Sequence, residues 1–273
     1  MTAVFEPLLV TELLLLGTAT GFLAGLLGVG GGMVMVPFLA LLLTQRGVGA
    51  DLAIKMAIAT AMATILFTSL ATMRAHHRRG AVRWDIVRGL APGIVLGGLA
   101  AGAGVFALVK GQALALTFAA FVAFTATQML LARAPKPTRQ LPGRLGQAVA
   151  GGGIGFVSGL VGAGGAFIAV PFMSRCNVPM HNAVATGAAI GFPIALANTL
   201  GYVIGGWSQP TALPGAIGFL YLPALAVIAL ASVLVAPLGA RVAHALDVRQ
   251  LRRIFAVMLY LLAADMLRRG LHG

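Results

Sequence analysis

Two clusters of glycines inside apolar sequence are the residues of this chain whose types and spacing could do chemistry. They are Gly28, Gly30, Gly31 and Gly32 in the first cluster, and Gly162, Gly164 and Gly165 in the second. Glycine lets a ligand approach the backbone closely because it has no Cβ. A helix that begins after such a cluster presents free N–H groups and roughly half a positive charge. The clusters therefore predict a backbone site for a small anion, with close helix packing as the alternative interpretation.

A few polar side chains lie within apolar runs and could donate hydrogen bonds to the same ligand. They are Thr60, Ser158, Thr186 and Asn198. The alternatives are a hydroxyl that bonds back to its own helix and an amide that links two helices. Two acids, Glu12 and Asp265, stand near the ends of apolar runs, and proton coupling through either is a further hypothesis. We find no nucleophile, acid–base pair or ligand set at membrane depth, so we expect no catalytic residue, no bound metal and no cofactor.

The first glycine cluster belongs to a stretch that occurs twice. The first copy runs from Gly21 to Phe38, and the second runs from Gly155 to Phe172 with the same internal spacing. Ten of the eighteen aligned positions are identical. Identity at this level within one chain marks an internal repeat.

The composition places the chain in a membrane. Hydrophobic residues make up 59% and charged residues 9% of the sequence, whereas a soluble domain is about 25% charged. Apolar runs close to the ~20 residues needed to cross a bilayer recur along the whole chain. The net charge of +13 comes from Lys and Arg residues that cluster in short loops, as the positive-inside rule expects. We therefore exclude nucleic acid as a partner and expect a lipid bilayer.

The apolar runs predict an all-α polytopic membrane protein built from two repeats. Residues 1–132 form the first transmembrane repeat, 133–146 a cytoplasmic linker, and 147–273 the second transmembrane repeat. Each repeat should open with a glycine-broken or re-entrant segment, at 8–44 and at 147–174, and continue with three transmembrane helices. We predict those helices at 57–73, 89–109, 112–132, 183–206, 216–239 and 254–267.

The basic loops predict how the repeats are oriented. Loops 74–88, 133–144 and 241–253 hold most of the positive charge, which favours the cytoplasmic side. Each broken segment must then return to its own side, both termini lie outside, and the two repeats are inverted. Arg268 and Arg269 fit this scheme poorly. Inverted repeats with glycine-interrupted segments are typical of secondary transporters, whose substrate site lies near the membrane midplane.

The same residues resemble a known family. The run Leu26-Leu27-Gly28-Val29-Gly30-Gly31-Gly32 with Val36-Pro37, and its echo Gly162-Ala163-Gly164-Gly165 with Val170-Pro171, are similar to the TauE/SafE family of membrane transporters. Further similarities are Ala59-Thr60, Ala185-Thr186 and Gly80-Ala81-Val82-Arg83-Trp84. The resemblance covers nearly the whole chain. It implies a transporter for sulfite, sulfoacetate or another sulfur-containing organic anion, most often moved outward.

The sequence therefore predicts a multi-pass transporter of the cell inner membrane that exports a small sulfur-containing anion by alternating access. The substrate should lie between the two glycine breaks, and a homodimer is compatible with the sequence. Three alternatives stay open: an importer of a sulfonate or an unrelated small solute, an anion channel, and a membrane-embedded enzyme. The enzyme is disfavoured because it would need catalytic groups that we do not find in the sequence.

Overall fold

The chain folds into a bundle of α-helices. A computed structural model describes residues 6–27, 31–131, 139–208, 213–243 and 248–272. Six of the described helices are long and apolar enough to cross a membrane. They cover Pro7–Leu26, Ala50–Arg78, Trp84–Leu108, Gly111–Leu131, Met180–Gly205 and Leu222–Gly239. The prediction of a helical, multi-pass membrane protein is confirmed.

The first part of the chain forms six helices in the described residues. They are α1 (Pro7–Leu27), α2 (Gly32–Gln45), α3 (Ala50–Arg78), α4 (Trp84–Leu99), α5 (Phe106–Leu108) and α6 (Gly111–Leu131). A π-helical segment, Ala100–Val105, joins α4 to α5 without interrupting the rod. Residues 84–108 therefore act as one membrane-length element, as the apolar run at 89–109 predicts.

The second part repeats this order with a small addition. Its helices are α7 (Arg144–Val161), α8 (Ala166–Arg175), α9 (Met180–Gly205), α10 (Leu222–Ala243) and α11 (Val248–His272). A short antiparallel hairpin of β1 (Ala216–Ile217) and β2 (Leu220–Tyr221) precedes α10. The span predicted at 216–239 is therefore displaced, because Gly215 and Gly218 both take positive φ values, of 87° and 56°, and turn the chain before the helix begins.

Each glycine-broken segment folds into a hairpin whose two ends lie together. In the first, Arg46 at the end of α2 reaches back to the start of α1, with 2.8 Å to Glu6 Oε2 and 3.1 Å to Glu12 Oε2. In the second, the N–H of Arg139, ahead of α7, donates to the carbonyl of Arg175 at the end of α8 across 3.1 Å. Each segment therefore returns to the end of the bundle at which it started.

Contacts between loops define the two ends of the bundle. We call the end that holds Glu6, Arg46 and Asp51 the near end. The Asp51 carboxylate there accepts a hydrogen bond from the N–H of Gly111, at the start of α6. The far end holds the loop after α3 and the start of α9, which are joined because Asn182 Nδ2 donates to Ala81 O at 2.9 Å. Since α3 runs from the near end to the far end, α1–α2 enters the bundle from one end and α7–α8 sits at the other.

The central pair of helices is α3 and α9. The main contacts of the helices around it each join a helix of the first part of the chain to one of the second. α1 packs mainly on α10, α4 packs mainly on α7, and α6 packs on α11. Glycines make these crossings close: a Cβ on Gly17 would lie 2.8 Å from Ala231 Cβ and 3.0 Å from the Ile228 backbone. Small residues allow such backbone approach in membrane helices. The first helix of each half is therefore packed on the fourth helix of the other half.

Candidate functional site

The first break lies between Leu27 and Gly32, and α2 starts immediately after it. Gly31 is the N-cap residue of α2, and its carbonyl accepts hydrogen bonds from Val34 and Met35 at 3.2 and 3.0 Å. No side chain caps this helix start, and its first turn contains no acid. The first N–H groups of a helix have no partner within the helix. The predicted site residues Gly28 and Gly30 lie outside the described residues.

The second break is shorter and is built on a left-handed glycine. Gly162 has φ +66° and its N–H donates to Ser158 O at 2.9 Å, which ends α7. Left-handed backbone at a helix C-terminus is a position that glycine occupies without steric cost. Gly164 follows in the turn, and Gly165 is the N-cap of α8, again without a side-chain cap or an acid in the first turn. Both short helices therefore begin with backbone donors that no side chain caps.

The two breaks meet inside the bundle. A Cβ placed on Gly32 would lie 2.8 Å from the carbonyl oxygen of Gly162 and 2.8 Å from Ile65 Cδ1 on α3. A Cβ on Gly162 would lie 3.0 Å from Ile58 Cγ2, two turns earlier on the same helix. The glycine clusters are thus interruptions of helices that come together beside α3, which is the geometry that the anion-site hypothesis requires.

A small cavity with hydroxyl groups in its wall adjoins the first break. Its lining includes Gly31 and Gly32 together with four hydroxyl residues, Thr20, Thr64, Thr68 and Ser232. The internal volume is about 10 Å³, which is room for about one water molecule. Sequence reasoning missed these four side chains. A signal existed for two of them, because Thr64 and Thr68 follow Thr60 at one-turn intervals along α3.

Thr60 and Thr186 are both fully buried but lie apart from each other. Thr60 Oγ1 accepts the N–H of Tyr221 at 3.1 Å, just before α10. Thr186 Oγ1 accepts the N–H of Arg83 at 3.0 Å, just before α4. The part of α3 that separates Thr60 from the loop of Arg83 is about 27 Å long, at 1.5 Å per residue. The hydroxyls therefore hold backbone groups at opposite ends of the bundle instead of converging on one ligand.

The environment of Tyr221 is apolar despite its position between two charges. The side chain is 3% exposed. Burial is the main cause that raises the pKa of its phenol; nearby Arg46 opposes the shift and Glu6 adds to it. The hydrogen bond to Thr60 is made by the backbone N–H of Tyr221 and not by this phenol.

Ser158 and Asn198 lie along the α7–α9 contact. The Asn198 amide nitrogen donates to Gly155 O at 3.3 Å and to Ile194 O at 2.9 Å, so it links two helices as the packing alternative expects. Its Oδ1 and the hydroxyl of Ser158 have no hydrogen-bond partner among the described residues. Ser158 is 1% exposed and stands one turn before the left-handed Gly162. It is therefore a buried hydroxyl next to the second break without a hydrogen-bond partner among the described residues.

A buried lysine is a further feature that sequence reasoning missed. Lys55 precedes the span predicted at 57–73, yet it lies within α3 and is 8% exposed. Its ammonium group donates to Ala107 O at 3.2 Å, lies 3.4 Å from Asp51 Oδ2 and faces the Phe219 ring at 5.8 Å. The apolar stem of Lys55 packs in the bundle, while its ammonium group interacts with a carbonyl, a carboxylate and an aromatic ring at the near end.

Comparison with known proteins agrees with this architecture. The family model described as "Sulfite exporter TauE/SafE" matches residues 13–266. A "probable membrane transporter protein" of Haemophilus influenzae is 33% identical over 254 residues, which cover 93% of this chain and 96% of that protein. A protein of Methanocaldococcus jannaschii, also described as a probable membrane transporter, is 27% identical over 229 residues, or 80% of this chain and 85% of its own. No solved structure matches the chain. A helical bundle with six candidate spans, matched over nearly its whole length, therefore belongs to the TauE/SafE family of membrane transporters.

Proposed function

We propose that this transporter exports a small sulfur oxyanion or organosulfonate, such as sulfite or sulfoacetate, and that the anion binds where the two glycine breaks meet. The observation that carries the proposal is the contact between Gly32 and the Gly162 carbonyl, because it places the uncapped starts of α2 and α8 in one region. Backbone N–H groups and helix dipoles hold an anion without the cost of a buried cation. The substrate class is supported by the description of the family model that matches.

Gly31, Gly32, Gly164 and Gly165 supply the backbone of the proposed site, and Ser158 adds a side-chain donor. Its hydroxyl is buried and has no partner among the described residues. A buried donor without a partner costs about 1–3 kcal/mol, and an anionic oxygen would remove that cost. In this proposal Thr60, Thr186 and Asn198 position helices around the anion, and Gly28 and Gly30 extend the first break.

Alternating access is supported by the two threonine contacts. Thr60 and Thr186 occupy matching places in α3 and α9, and each accepts the N–H that precedes the fourth helix of the other half. The two contacts lie at opposite ends of the bundle. Opening one while the other stays closed would expose the site to one side at a time. The arrangement is the one expected of inverted repeats at 1–132 and 147–273, joined by the linker at 133–146.

We place the protein in the cell inner membrane. The distribution of charge supports an orientation in which the far end faces the cytoplasm. The far end carries Arg79, Arg83, Arg139, Arg144 and Arg175. At the near end, carboxylates lie beside Arg46 (Glu6 and Glu12), Lys55 (Asp51), and Arg268 and Arg269 (Asp265), whereas at the far end the described ion pair is Arg83 with Asp85. The pairing with Asp265 accounts for Arg268 and Arg269 at the outer side, which the sequence alone leaves unexplained.

The test is flux of labelled sulfite, sulfoacetate, taurine, thiosulfate and sulfate in proteoliposomes of known orientation. We expect saturable transport of at least one sulfur anion, from the side of the far end to the side of the near end. Gly32→Leu should abolish it, because the new side chain meets Gly162 O and Ile65. Gly153→Leu on α7 is the matched control, since a Cβ there meets nothing within 4 Å. Normal flux in Gly32→Leu would refute the site, non-saturable flux would indicate a channel, and inward flux would indicate an importer.

A further inference from the structure

Two buried hydroxyl oxygens lie close together in the cavity beside the first break. Thr20 Oγ1 on α1 and Ser232 Oγ on α10 are 3.5 Å apart. Thr20 donates its hydroxyl hydrogen to Leu16 O at 2.7 Å, and Ser232 donates its own to Gly17 O at 2.9 Å. A hydroxyl has one hydrogen, and each oxygen lies closer to a backbone carbonyl than to the other hydroxyl, so we assign both hydrogens to the carbonyls. The two side chains are 1% and 2% exposed, and both line the cavity.

The other hydroxyls of the cavity are arranged in the same way. Thr64 donates to Thr60 O at 3.0 Å, and Thr68 donates to Ile65 O at 3.3 Å. Each therefore turns lone pairs, and no hydrogen, toward the cavity. The Gly162 carbonyl oxygen lies next to Gly32, which lines the cavity. The polar side chains of the pocket therefore offer acceptors, which suits a cation, beside the apolar side chains of Ala24, Met35 and Ile65.

We propose that this hydroxyl pocket, formed by Thr20, Thr64, Thr68 and Ser232, binds one sodium ion. The volume of about 10 Å³ holds one small ion or one water. Hard cations take oxygen ligands at about 2.3–2.6 Å, so two ligands at a right angle lie roughly 3.4 Å apart, close to the Thr20–Ser232 separation of 3.5 Å.

The charge of the pocket selects a monovalent ion. Of the described residues that line it, none is a carboxylate, and divalent cations are usually held by carboxylates. The same lining residues contain no group that takes up a proton near neutral pH, which disfavours proton binding at this place. The C-terminal end of α1, which ends at Leu27, adds the negative end of a helix dipole.

The position of the pocket gives the ion a role, and this role rests on the proposed function. Gly31 and Gly32 belong both to the pocket wall and to the start of α2, where the anion would bind. A cation on one side of this backbone and an anion on the other lower the cost of each other's burial. Binding of either then strengthens binding of the other by the same factor, so the two sites are coupled.

The test measures sodium binding without any sulfur anion. The purified full chain is heated in NaCl, KCl or choline chloride at constant ionic strength, because a ligand that binds the folded form raises the midpoint of unfolding. We expect a saturable rise specific to sodium. Thr20→Val and Ser232→Ala should weaken the apparent sodium affinity at least tenfold, whereas Thr20→Ser, which keeps the oxygen, should retain it. Thr117→Val is the matched control, since Thr117 also bonds back to its helix but is exposed on α6.

The outcomes separate this proposal from the anion site. An equal response to sodium and choline in the unaltered protein would overturn the sodium site, as would unchanged sodium affinity in both Thr20→Val and Ser232→Ala. Sodium-independent flux of a sulfur anion would leave the anion site standing and remove the coupling role. A sodium-specific shift without flux of any sulfur anion would support the ion site and contradict the proposed substrate class.

Discussion

The hydroxyl oxygen of Thr186 accepts the backbone N–H of Arg83 across 3.0 Å, which ties the start of α4 to the central helix α9. Thr60 does the same for Tyr221 at the start of α10. Each contact joins the two halves of the chain. The pair gives the bundle one tie at each end, and both ties use a threonine that the sequence places in matching positions.

Removing one tie should bias the transporter toward opening at that end. In Thr186→Val the Arg83 N–H loses its acceptor, which removes a hydrogen bond worth about 0.5–1.5 kcal/mol at this partly buried contact. We expect the far end to open more often, and Thr60→Val to open the near end. The measurement is thiol labelling, from each side, of single cysteines placed beside α4 and α10, in a chain with Cys176 replaced.

A threonine that bonds only to its own helix provides the control for this experiment. Thr44→Val removes a hydroxyl that donates to Ala40 O at 2.8 Å and should change labelling at neither end. Equal labelling of Thr60→Val and Thr186→Val from both sides would rule out the two ties as gates.

Gly162→Ala should impair both stability and transport. The left-handed backbone at φ +66° costs a residue with a Cβ about 1–2 kcal/mol, and the new methyl group would press on Ile58. Gly80→Ala separates the two effects, since Gly80 has φ +65° and open space around it. We expect Gly80→Ala to lower the unfolding midpoint while flux is kept, and Gly162→Ala to lose flux as well. Similar flux in the two variants would contradict a role for close packing at the second break.

Lys55→Met should loosen the turn between α5 and α6. The variant keeps the apolar stem but removes the charge-assisted hydrogen bond to Ala107 O, worth about 1.5–3 kcal/mol. Asp51 adds little to this figure, because its carboxylate is 55% exposed. We expect faster proteolytic cleavage near Lys110 in Lys55→Met and an intermediate rate in Lys55→Arg. An unchanged rate would mean that Lys55 does not hold this turn.

Glu12→Gln should leave transport and its pH dependence unchanged. Glu12 pairs with Arg46 where the ends of the first hairpin meet, away from the tip that carries the break. Its role is therefore to hold the hairpin, and the exposed share of both side chains limits its worth to about 1 kcal/mol or less. Flux measured between pH 5.5 and 8.5 would show the difference, and a loss of pH dependence in Glu12→Gln would restore the proton-coupling hypothesis.

The sequence predicts the helices and their interruptions because both depend on local properties. Long apolar runs have few alternatives to helix in a membrane, and clustered glycines disfavour helix wherever they occur. The repeat adds a second copy of the same signal. For this reason the breaks before Gly32 and after Val161 lie where the glycine clusters predict them.

The partners of polar side chains depend on tertiary contacts that the sequence does not display. Thr60 and Thr186 are recognisable as a matched pair, yet their backbone partners come from loops more than a hundred residues away. Ser232 shows no local pattern, and it becomes a pocket residue because Gly17 and Gly21 let α10 approach α1. Lys55 is a polar residue ahead of an apolar run, and its burial follows from the fold of the distant segments Ala107 and Phe219.

The crossed packing of α1 on α10 has a consequence for biogenesis. α1 ends at Leu27 and α10 begins at Leu222, so roughly ten to forty seconds of synthesis separate them at 5–20 residues per second. During that interval the groove at Gly17 and Gly21 is covered by lipid or by the insertion machinery. Assembly of the bundle therefore cannot be complete before α10 has been made, and a chain truncated before α10 leaves its first helix without the surface on which it packs.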